Sequence, residues 1–410
     1  MSFSAQKATL FLESKRRWVE EMLCDLIAIP SLPGQEGAAM RYMEQRMKEI
    51  PGRVEEIALS DKIKEDPDYS SPIEDLTYEG RANLLVKQDG TKGKTVILNT
   101  HLDTVPPSPG QDKAFSPEVQ DGAVFGRGAC DAKGQAVTMA LVAAAVAELG
   151  PFPAGVDYHF VVEEECGGNG TLAMIRRECR ADACIVLEPS VLTIQPSVRG
   201  AVWFDVTCYG RSGHSGRAGD VVSALKKAVQ AMNIMEEYHA ALLGRSREVP
   251  LFSGYANPMP ITFGEMHAGN WPASAPNTAR FRGVMGFLPN VTKEEVMAGL
   301  RSAVAEKGDA WLRDNFDMKF IYRHDSSVTA IDHPLVQGLK QACTLSDLTP
   351  QITAMTASCD AWFYRNQLDI PTVVFGPGDL KYAHSREEQI AVDEILKAAQ
   401  VLVTWLATAF

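Results

Sequence analysis

Apolar, strand-like runs that end directly in acidic residues or histidines restrict the fold of this chain more than any other feature. His101 ends one such run, Glu163–Glu165 follow a second and Glu188 follows a third. In open α/β sheets, ligands bind outside the carboxyl ends of the strands. We therefore expect these side chains, which are far apart in sequence, to meet at one edge of a parallel sheet.

Over most of the chain, β-branched apolar runs of strand length alternate with helical patterns. The strand 95–100, the helix 132–149 and the strands 157–162 and 183–187 are the clearest examples. This alternation predicts an α/β fold with a largely parallel sheet covered by helices.

Turn and capping signals give two further expectations. The polar segment 88–93 predicts a hairpin turn between the strands 83–86 and 95–100. The pattern Ser385-x-x-Glu388 predicts a capping box that begins the C-terminal helix.

The pattern changes in the middle of the chain. From 198 to 325 the expected elements follow the order β-α-β-β-α-β, the ferredoxin-like arrangement, and the second helix opens on the capping box Thr292-x-x-Glu295. The α/β pattern then returns. We therefore predict a metal-binding catalytic domain formed by 1–197 and 326–410, into which a domain of residues 198–325 is inserted.

Composition excludes several classes of function. The chain has 410 residues, 45% of them apolar, and a net charge of −12. Because nucleic acid requires a basic surface, no nucleic-acid partner is expected. The longest apolar stretch, 136–147, is shorter than the about 20 residues that span a bilayer, so we expect a buried helix and no membrane partner.

Cysteine usage and the N-terminus indicate the compartment. Eight cysteines are scattered without a Cys-x-x-Cys pair, which is typical of a reducing environment rather than of a disulfide framework. The first residues show no basic and apolar secretory leader. A cytoplasmic location is therefore expected.

Each polar residue taken alone also has an ordinary structural explanation. A histidine at a strand end is usually structural, and Asp131, in a glycine-rich turn before a helix, is equally well explained as an N-cap. Asp103 shares a side of an extended strand with His101 and can orient its imidazole. Glu164 and Glu165 could be solvated at the strand end, but their opposite orientations also allow one to bind metal while the other acts on water.

Five of these residues taken together give stronger evidence than any one of them alone. They are His101, Asp131, Glu165, Glu188 and His384. Hard carboxylate oxygens and imidazoles, without cysteine in the necessary places, are what a two-metal hydrolytic site requires. The sequence therefore predicts a metal-dependent hydrolase.

Five motifs that contain these residues resemble those of the M20 family of co-catalytic zinc aminoacylases and peptidases. That family includes acetylornithine deacetylase, succinyl-diaminopimelate desuccinylase and carboxypeptidase G2. The motifs are His101-x-Asp103-x-Val105, Gly126-Arg-Gly-x-x-Asp131-x-Lys-Gly134, Glu164-Glu165-x-Gly-Gly168, Glu188-Pro189 and Gly376-Pro-Gly-x-x-x-x-Ala383-His384. The resemblance covers almost the whole chain and implies that the inserted domain is a lid or dimerisation domain.

The resemblance implies two metal ions, expected to be Zn²⁺, with Co²⁺ or Mn²⁺ able to substitute. Asp131 would bridge the two ions. One ion would take His101 and Glu188, and the other would take Glu165 and His384.

The resemblance also implies catalytic roles. Glu164 would be the general base and Asp103 would orient a histidine ligand. From the inserted domain, His214 of the motif Gly-Arg-Ser-Gly-His214-Ser215 would contact the tetrahedral intermediate. Family members often have a cis peptide after the bridging aspartate, which here is the bond Asp131–Ala132.

Substrate recognition departs from the family pattern at one position. Many members carry an arginine three residues before the proline that ends a strand of the inserted domain, where it helps to hold a substrate carboxylate; here that residue is Gly286. Arg280 and Arg282 lie on the same expected strand with the same parity and are candidate replacements. Backbone donors of the loop Gly376–Gly378 are further candidates for binding the carboxylate.

These expectations converge on a di-zinc hydrolase that cleaves the amide bond of an N-acyl amino acid, a small molecule or short peptide. A metallo-exopeptidase of the same family, which cleaves dipeptides, remains open as an alternative. A non-catalytic binding relative is a weaker alternative, because such proteins usually lose the base or a ligand. A homodimer through the inserted domain is implied by the resemblance alone.

Overall fold

A computed structural model of the chain describes residues 4–177, 179–214, 216 and 219–409. The chain divides into two compact units. Unit 1 comprises the chain up to Ser197, Val328–Met355 and the segment from Cys359 onward, and unit 2 comprises Val198–Ser327 and Thr356–Ser358. The sequence did not indicate that 356–358 belongs with unit 2.

The helices of the described residues are α1 (Ala5–Ser14), α2 (Arg16–Ala28), α3 (Gly37–Lys48), α4 (Gly134–Leu149), α5 (Asn169–Ile175), α6 (Ala224–Arg245), α7 (Lys293–Lys307), α8 (Ala310–Asp314), α9 (Pro334–Leu345) and α10 (Val392–Thr408). The strands are β1 (Arg53–Ala58), β2 (Ala82–Gln88), β3 (Lys94–His101), β4 (Glu118–Gln120), β5 (Ala123–Phe125), β6 (Ala154–Val161), β7 (Ala183–Val186), β8 (Ile194–Val198), β9 (Gly200–Tyr209), β10 (Ile261–Ala268), β11 (Thr278–Phe287), β12 (Phe316–His324), β13 (Ser327–Val328), β14 (Ile352–Met355), β15 (Thr372–Val374) and β16 (Gln389–Ala391).

The main sheet of unit 1 is mixed, with the order β1-β2-β6-β3-β7-β15-β8-β13 and with β14 paired to β8. Its central strands β6, β3, β7 and β15 run parallel. On either side of them, β2 and β8 pair antiparallel. The predicted α/β fold with a largely parallel sheet is confirmed. The predicted hairpin between β2 and β3 is wrong, because β6 lies between these two strands.

The centre of the sheet is buried on both faces. Val96, Ile97 and Leu98 are consecutive residues of β3 and are all fully buried, and consecutive residues of a strand point to opposite faces. Helix α4 packs against β3 and α10. By length and composition the segment Ala129–Leu149 could cross a membrane, yet 78% of its most apolar window is buried within the structure. We therefore interpret it as the buried helix that the sequence predicted.

Unit 2 contains a four-stranded antiparallel sheet in the order β10-β11-β9-β12 among its described residues. Its elements follow the order β9, α6, β10, β11, α7, α8, β12, so the expected β-α-β-β-α-β order is present with one additional short helix. Val202, Phe204 and Val206 of β9 are buried. At the start of α7 the predicted capping box between Thr292 and Glu295 is confirmed, with both reciprocal hydrogen bonds formed.

The C-terminal helix begins later than predicted. Helix α10 starts at Val392, after Ala391 as its N-cap. Glu388 is buried and forms an ion pair with Arg127. The predicted capping box at Ser385 is therefore wrong, because its glutamate makes a tertiary contact instead of capping a helix.

Candidate metal centre

The carboxyl ends of four neighbouring parallel strands carry the predicted site. His101 is the last residue of β3. Glu163–Glu165 follow β6, Glu188 follows β7, and the loop 376–384 follows β15. Because parallel strands end at the same edge of a sheet, these residues come together despite their separation in sequence.

His101, Glu188 and one oxygen of Asp131 form one half of the site. Nε2 of His101 lies 3.1 Å from Oδ1 of Asp131 and 3.8 Å from Oε1 of Glu188. On its other side, Nδ1 of His101 lies 3.0 Å from the backbone oxygen of Asp103. A proton on Nδ1 therefore leaves Nε2 as the ligand atom.

His384, Glu165 and the other oxygen of Asp131 form the second half. Nε2 of His384 lies 3.3 Å from Oδ2 of Asp131 and 3.0 Å from Oε2 of Glu165. The two carboxylate oxygens of Asp131 thus face two different histidines. The structure brings all five predicted ligands together, grouped in the two sets that the family resemblance implied.

The acidic and imidazole groups strongly perturb one another. Burial raises the pKa of Glu188 well above its ordinary value, and Asp131 also raises it, while His101 opposes the shift. Burial lowers the pKa of His384, but Glu165 and Asp131 outweigh it and raise the value to about 11. These shifts arise because charged groups that are removed from water depend on their nearest partners.

Asp103 organises the backbone of the glutamates. Its two carboxylate oxygens accept hydrogen bonds from the N–H groups of Glu164 and Glu165 at 3.1 and 3.0 Å. Its Oδ1 lies 3.5 Å from Nδ1 of His101, farther than its own backbone oxygen at 3.0 Å. The shorter contact of Asp103 with the imidazole of His101 is therefore made by its backbone carbonyl group.

Glu164 lies beside the half of the site that contains His101 and Glu188. Ligand atoms of these three residues all lie within 4.8 Å of one another. Burial raises the pKa of Glu164 well above its ordinary value, and the charge of Glu188 adds to this effect.

Glu163, the first glutamate of the triplet, points away from the ligands. Its carboxylate accepts hydrogen bonds from Tyr78 and Asn169, each at 2.7 Å, and pairs with Arg81 at 2.8 Å. Arg81 also pairs with Glu36 at 2.6 Å. Glu163 has a positive φ of 66°. The triplet therefore combines one structural carboxylate with two carboxylates at the site.

The sequence did not indicate the role of Glu388. Its Oε1 accepts hydrogen bonds from the backbone N–H groups of Cys130 and Asp131, both at 3.1 Å. The peptide bond Asp131–Ala132 is cis, as predicted. The only local signal at Glu388 was a helix-capping pattern, which pointed to another role.

Asp360 is a second buried carboxylate that the sequence analysis did not identify. It is 1% exposed and accepts a hydrogen bond from Oγ1 of Thr171 at 2.6 Å. Burial raises the pKa of Asp360 to about 7. No motif in the surrounding sequence distinguishes this residue.

In unit 2, His214 is exposed, and its Nδ1 accepts a hydrogen bond from the N–H group of Gly216 at 3.1 Å. Ser215 of the same motif lies outside the described residues. The catalytic role of His214 stays a prediction.

Arg280 and Arg282 both pair with Asp205. Nε of Arg280 lies 2.8 Å from Oδ1 of Asp205, and Nε of Arg282 lies 3.1 Å from Oδ2. Asp205 is buried between strands of unit 2. Both guanidinium groups therefore already have a carboxylate partner in this structure.

The backbone donors of the loop after β15 are also engaged. The N–H group of Gly376 donates to Oγ of Ser190 at 2.9 Å, and that of Gly378 donates to Oε2 of Glu394 at 2.8 Å. We assign these two donors to the fold and do not retain them as substrate-binding groups.

A family model described as Peptidase family M20/M25/M40 matches residues 97–408. The chain belongs to the M20 peptidase family. The match spans all five candidate ligands, and it confirms the resemblance that the motifs indicated.

The chain is similar to two deacylating enzymes in sequence and to a peptidase in structure. The N-formyl-4-amino-5-aminomethyl-2-methylpyrimidine deformylase of Bacillus subtilis (strain 168) is 25% identical over 364 residues, which are 80% of this chain and 83% of that protein. Acetylornithine deacetylase of Myxococcus xanthus is 28% identical over 335 residues, 80% of this chain and 84% of that protein. The di-peptidase Dug1p from Saccharomyces cerevisiae shares the fold, with a TM-score of 0.81 at 15% identity over 100% of this chain and 99% of that chain. As an M20 protein, the chain is a metal-dependent amidohydrolase or peptidase.

The residues at the site fit divalent cations. Four carboxylates face two imidazoles in a largely buried group, comprising Asp131, Glu164, Glu165, Glu188, His101 and His384. Such an excess of buried negative charge is costly unless cations offset it. Oxygen and imidazole donors suit Zn²⁺, Co²⁺ and Mn²⁺. The nearby Cys130 directs its thiol to the backbone oxygen of Asp379 at 3.4 Å.

Proposed function

We propose that the protein cleaves the amide bond of N-acyl amino acids with two divalent cations, expected to be Zn²⁺, held across Asp131. One observation carries this proposal: Oδ1 of Asp131 lies 3.1 Å from His101, and Oδ2 lies 3.3 Å from His384. Glu188 would complete the first cation site and Glu165 the second. Divalent cations supply Lewis acidity when bound, which polarises an amide carbonyl and acidifies water.

Glu164 is proposed to move the protons. Its carboxylate accepts the proton of the attacking water and then delivers it to the leaving nitrogen as the C–N bond breaks, so that a carboxylic acid and an amine are formed. Asp103 fixes the backbone of Glu164 through the hydrogen bond at 3.1 Å. This anchor places the base without using its carboxylate oxygens.

Arg199 is proposed to pair with the carboxylate of the substrate. Its Nε donates to the backbone oxygen of Thr356 and its Nη1 to that of Gly200 at 3.2 Å, all within unit 2. Burial lowers the pKa of Arg199 to about 10, and Tyr322 opposes this shift. Among the described residues no carboxylate pairs with Arg199, so its half-buried guanidinium group is left for an anionic ligand.

The Arg199 side chain lies beside position 286, where many members of the family carry an arginine. A Cβ atom at Gly286 would lie only 2.5 Å from Nη1 of Arg199. The guanidinium group therefore occupies the space that a side chain at position 286 would need. This supports Arg199 as the replacement for the family arginine, and Arg280 and Arg282 are less suited because Asp205 already neutralises them.

Three further roles remain proposals. His214, which is exposed on unit 2, is assigned to the tetrahedral intermediate. Strand β10 lies at the edge of its sheet with most side chains exposed, and it offers a surface for a homodimer. The eight cysteines, none of them in a disulfide among the described residues, support a cytoplasmic location.

The proposal is tested by metal analysis and a substrate panel on the purified protein. We expect two divalent cations per chain, and hydrolysis of N-acetyl, N-succinyl or N-formyl amino acids that a chelator abolishes and Zn²⁺ restores. Hydrolysis of dipeptides alone would favour the exopeptidase alternative. A metal-loaded protein without turnover on either group of substrates would contradict the proposal and favour a binding relative.

A further inference from the structure

A chain of side-chain hydrogen bonds joins the two loops that carry Asp131 and His384. It begins at Glu388, whose Oε1 accepts from the N–H group of Asp131 at 3.1 Å and whose Oε2 pairs with Nη1 of Arg127. Nη2 of Arg127 donates to Oγ of Ser108 at 2.9 Å. Oγ of Ser108 donates in turn to the backbone oxygen of His384 at 2.8 Å.

The middle of this series of hydrogen bonds is buried and charged. The side chains of Arg127 and Glu388 are 1% and 0% exposed. An ion pair that is removed from water is costly unless its hydrogen bonds are well satisfied, so it holds the groups at its ends firmly. The two terminal nitrogen atoms of Arg127 donate to different partners, so one guanidinium group binds both Glu388 and Ser108.

The series of hydrogen bonds ends at His384, where the backbone has an unfavourable conformation. His384 has a positive φ of 57°, a conformation that residues other than glycine adopt infrequently. The bond from Ser108 fixes the carbonyl group of this residue, while its side chain, 53% exposed, has few other restraints. The position of Nε2 opposite Asp131 therefore depends on a backbone that Ser108 holds.

We propose that Glu388, Arg127 and Ser108 are positioning residues that set the distance between the shared ligand Asp131 and the ligand His384. The proposal rests on the metal centre of the proposed function. The two ends of the chain differ in what they hold. Ser108 acts only on His384, a ligand of one cation, whereas Glu388 acts on Asp131, which both cations share.

This difference predicts distinct effects for two substitutions. Ser108→Ala should weaken the binding of one of two cations by about tenfold to a hundredfold, the usual effect of losing an outer-shell partner, and leave the other unchanged. Glu388→Gln should weaken both. Arg127→Lys should resemble Ser108→Ala, because a single ammonium group that pairs with Glu388 does not also reach Ser108.

The test is a titration of the metal-free full-length protein with Co²⁺, followed by visible absorption and by metal content after dialysis. Ser385→Ala is the matched control, because its hydroxyl makes the same kind of bond, at 2.8 Å to the backbone oxygen of Tyr382, but joins no second loop. Ser108→Thr retains the hydroxyl and should restore the wild-type affinities. In a His384→Ala background, Ser108→Ala should have no further effect on the remaining cation.

Equal affinities of Ser108→Ala and wild type for both cations would overturn the proposal, and so would equal weakening of both cations by Ser108→Ala. Ser108 is partly exposed, so its substitution leaves a protein that can be tested even if Glu388→Gln, which leaves the buried charge of Arg127 unpaired, does not fold. A wild-type protein that binds no Co²⁺ would instead refute the proposed function, and the positioning role with it. Two cations bound normally by every variant would refute the positioning role alone.

Discussion

At the scale of single residues, three consecutive glutamates have different roles because their surroundings differ. Glu163 is neutralised by Arg81, Glu165 faces His384, and Glu164 lies beside His101 and Glu188. These surroundings support the proposed division, in which Glu163 is structural, Glu165 binds metal and Glu164 transfers protons.

Glu164→Gln should lower kcat by about a hundredfold to ten-thousandfold, the usual contribution of a general acid–base group, without loss of metal. The amide retains the shape of the side chain but cannot accept the proton. Steady-state kinetics with metal analysis would check this. Glu163→Gln is the matched control. It should lower the free energy of unfolding and leave kcat nearly unchanged. Near-normal turnover of Glu164→Gln would show that another group is the base.

Arg199→Met should raise KM for N-acyl amino acids about tenfold or more, the usual cost of losing a charged hydrogen bond. Metal content should not change, because the hydrogen bonds of Arg199 go to Thr356 and Gly200 and the candidate ligands belong to unit 1. The corresponding C-terminal amides, which lack the carboxylate, should be little affected. Arg280→Met is the comparison variant. A larger rise in KM for Arg280→Met than for Arg199→Met would assign carboxylate binding to Arg280 instead.

Asp360→Asn should flatten the pH dependence of stability in the metal-free protein. Burial raises the folded-state pKa of Asp360 to about 7, above about 3.9 for an unfolded chain. The folded state therefore binds the proton more tightly, and this contribution to stability is complete below about pH 4 and lost as the pH rises through about 7. Its upper limit is about 4 kcal/mol at 1.36 kcal/mol per pKa unit. Urea denaturation at pH 5 and pH 7 measures it, and an unchanged difference in Asp360→Asn would contradict the assignment.

At the scale of elements, strand ends and helix starts organise the molecule. The parallel order β6-β3-β7-β15 places four strand ends at one edge of the sheet. One candidate ligand, His101, ends a strand, and three others lie in the segments that follow the strands. Asp131, the fifth, precedes helix α4 in the kinked turn Ala129–Lys133. Most of the candidate site is therefore built at the ends of strands and the start of a helix, whereas His384 lies in the loop after β15.

In unit 2, Thr292→Ala should destabilise helix α7 by about 1 kcal/mol, because the N-cap hydroxyl satisfies a backbone N–H group that would otherwise lack a partner. The hydroxyl accepts from the N–H group of Glu295 at 3.2 Å. Chemical denaturation monitored by circular dichroism would measure the loss. Thr292→Ser, which keeps the hydroxyl, should be close to wild type, and equal stability of the alanine variant would argue against the cap.

At the scale of the whole molecule, we expect the two units to differ in their dependence on metal. The groups able to hold a metal ion lie in unit 1 among the described residues. Removal of metal should therefore lower the stability of unit 1, by about 2.7 kcal/mol per ion at cation concentrations a hundredfold above Kd. Calorimetry with and without a chelator would show a shift of the transition of unit 1 alone. Asp131→Ala should remove most of the shift, and a shift of equal size in this variant would contradict the shared-ligand arrangement.

The sequence by itself determined the alternation of strands and helices, the family and the set of residues that meet at the candidate metal centre. These properties depend on local periodicity and on motifs of a few residues, and a strand end places its last side chains predictably. The ion pairs were decided only by the tertiary structure. Glu388 reaches Arg127 across 261 residues of sequence, and Arg280 and Arg282 are neutralised by Asp205 on another strand. Such partners are chosen by proximity in space, so no local pattern distinguishes a helix cap from a buried ion pair or a substrate-binding arginine from a neutralised one.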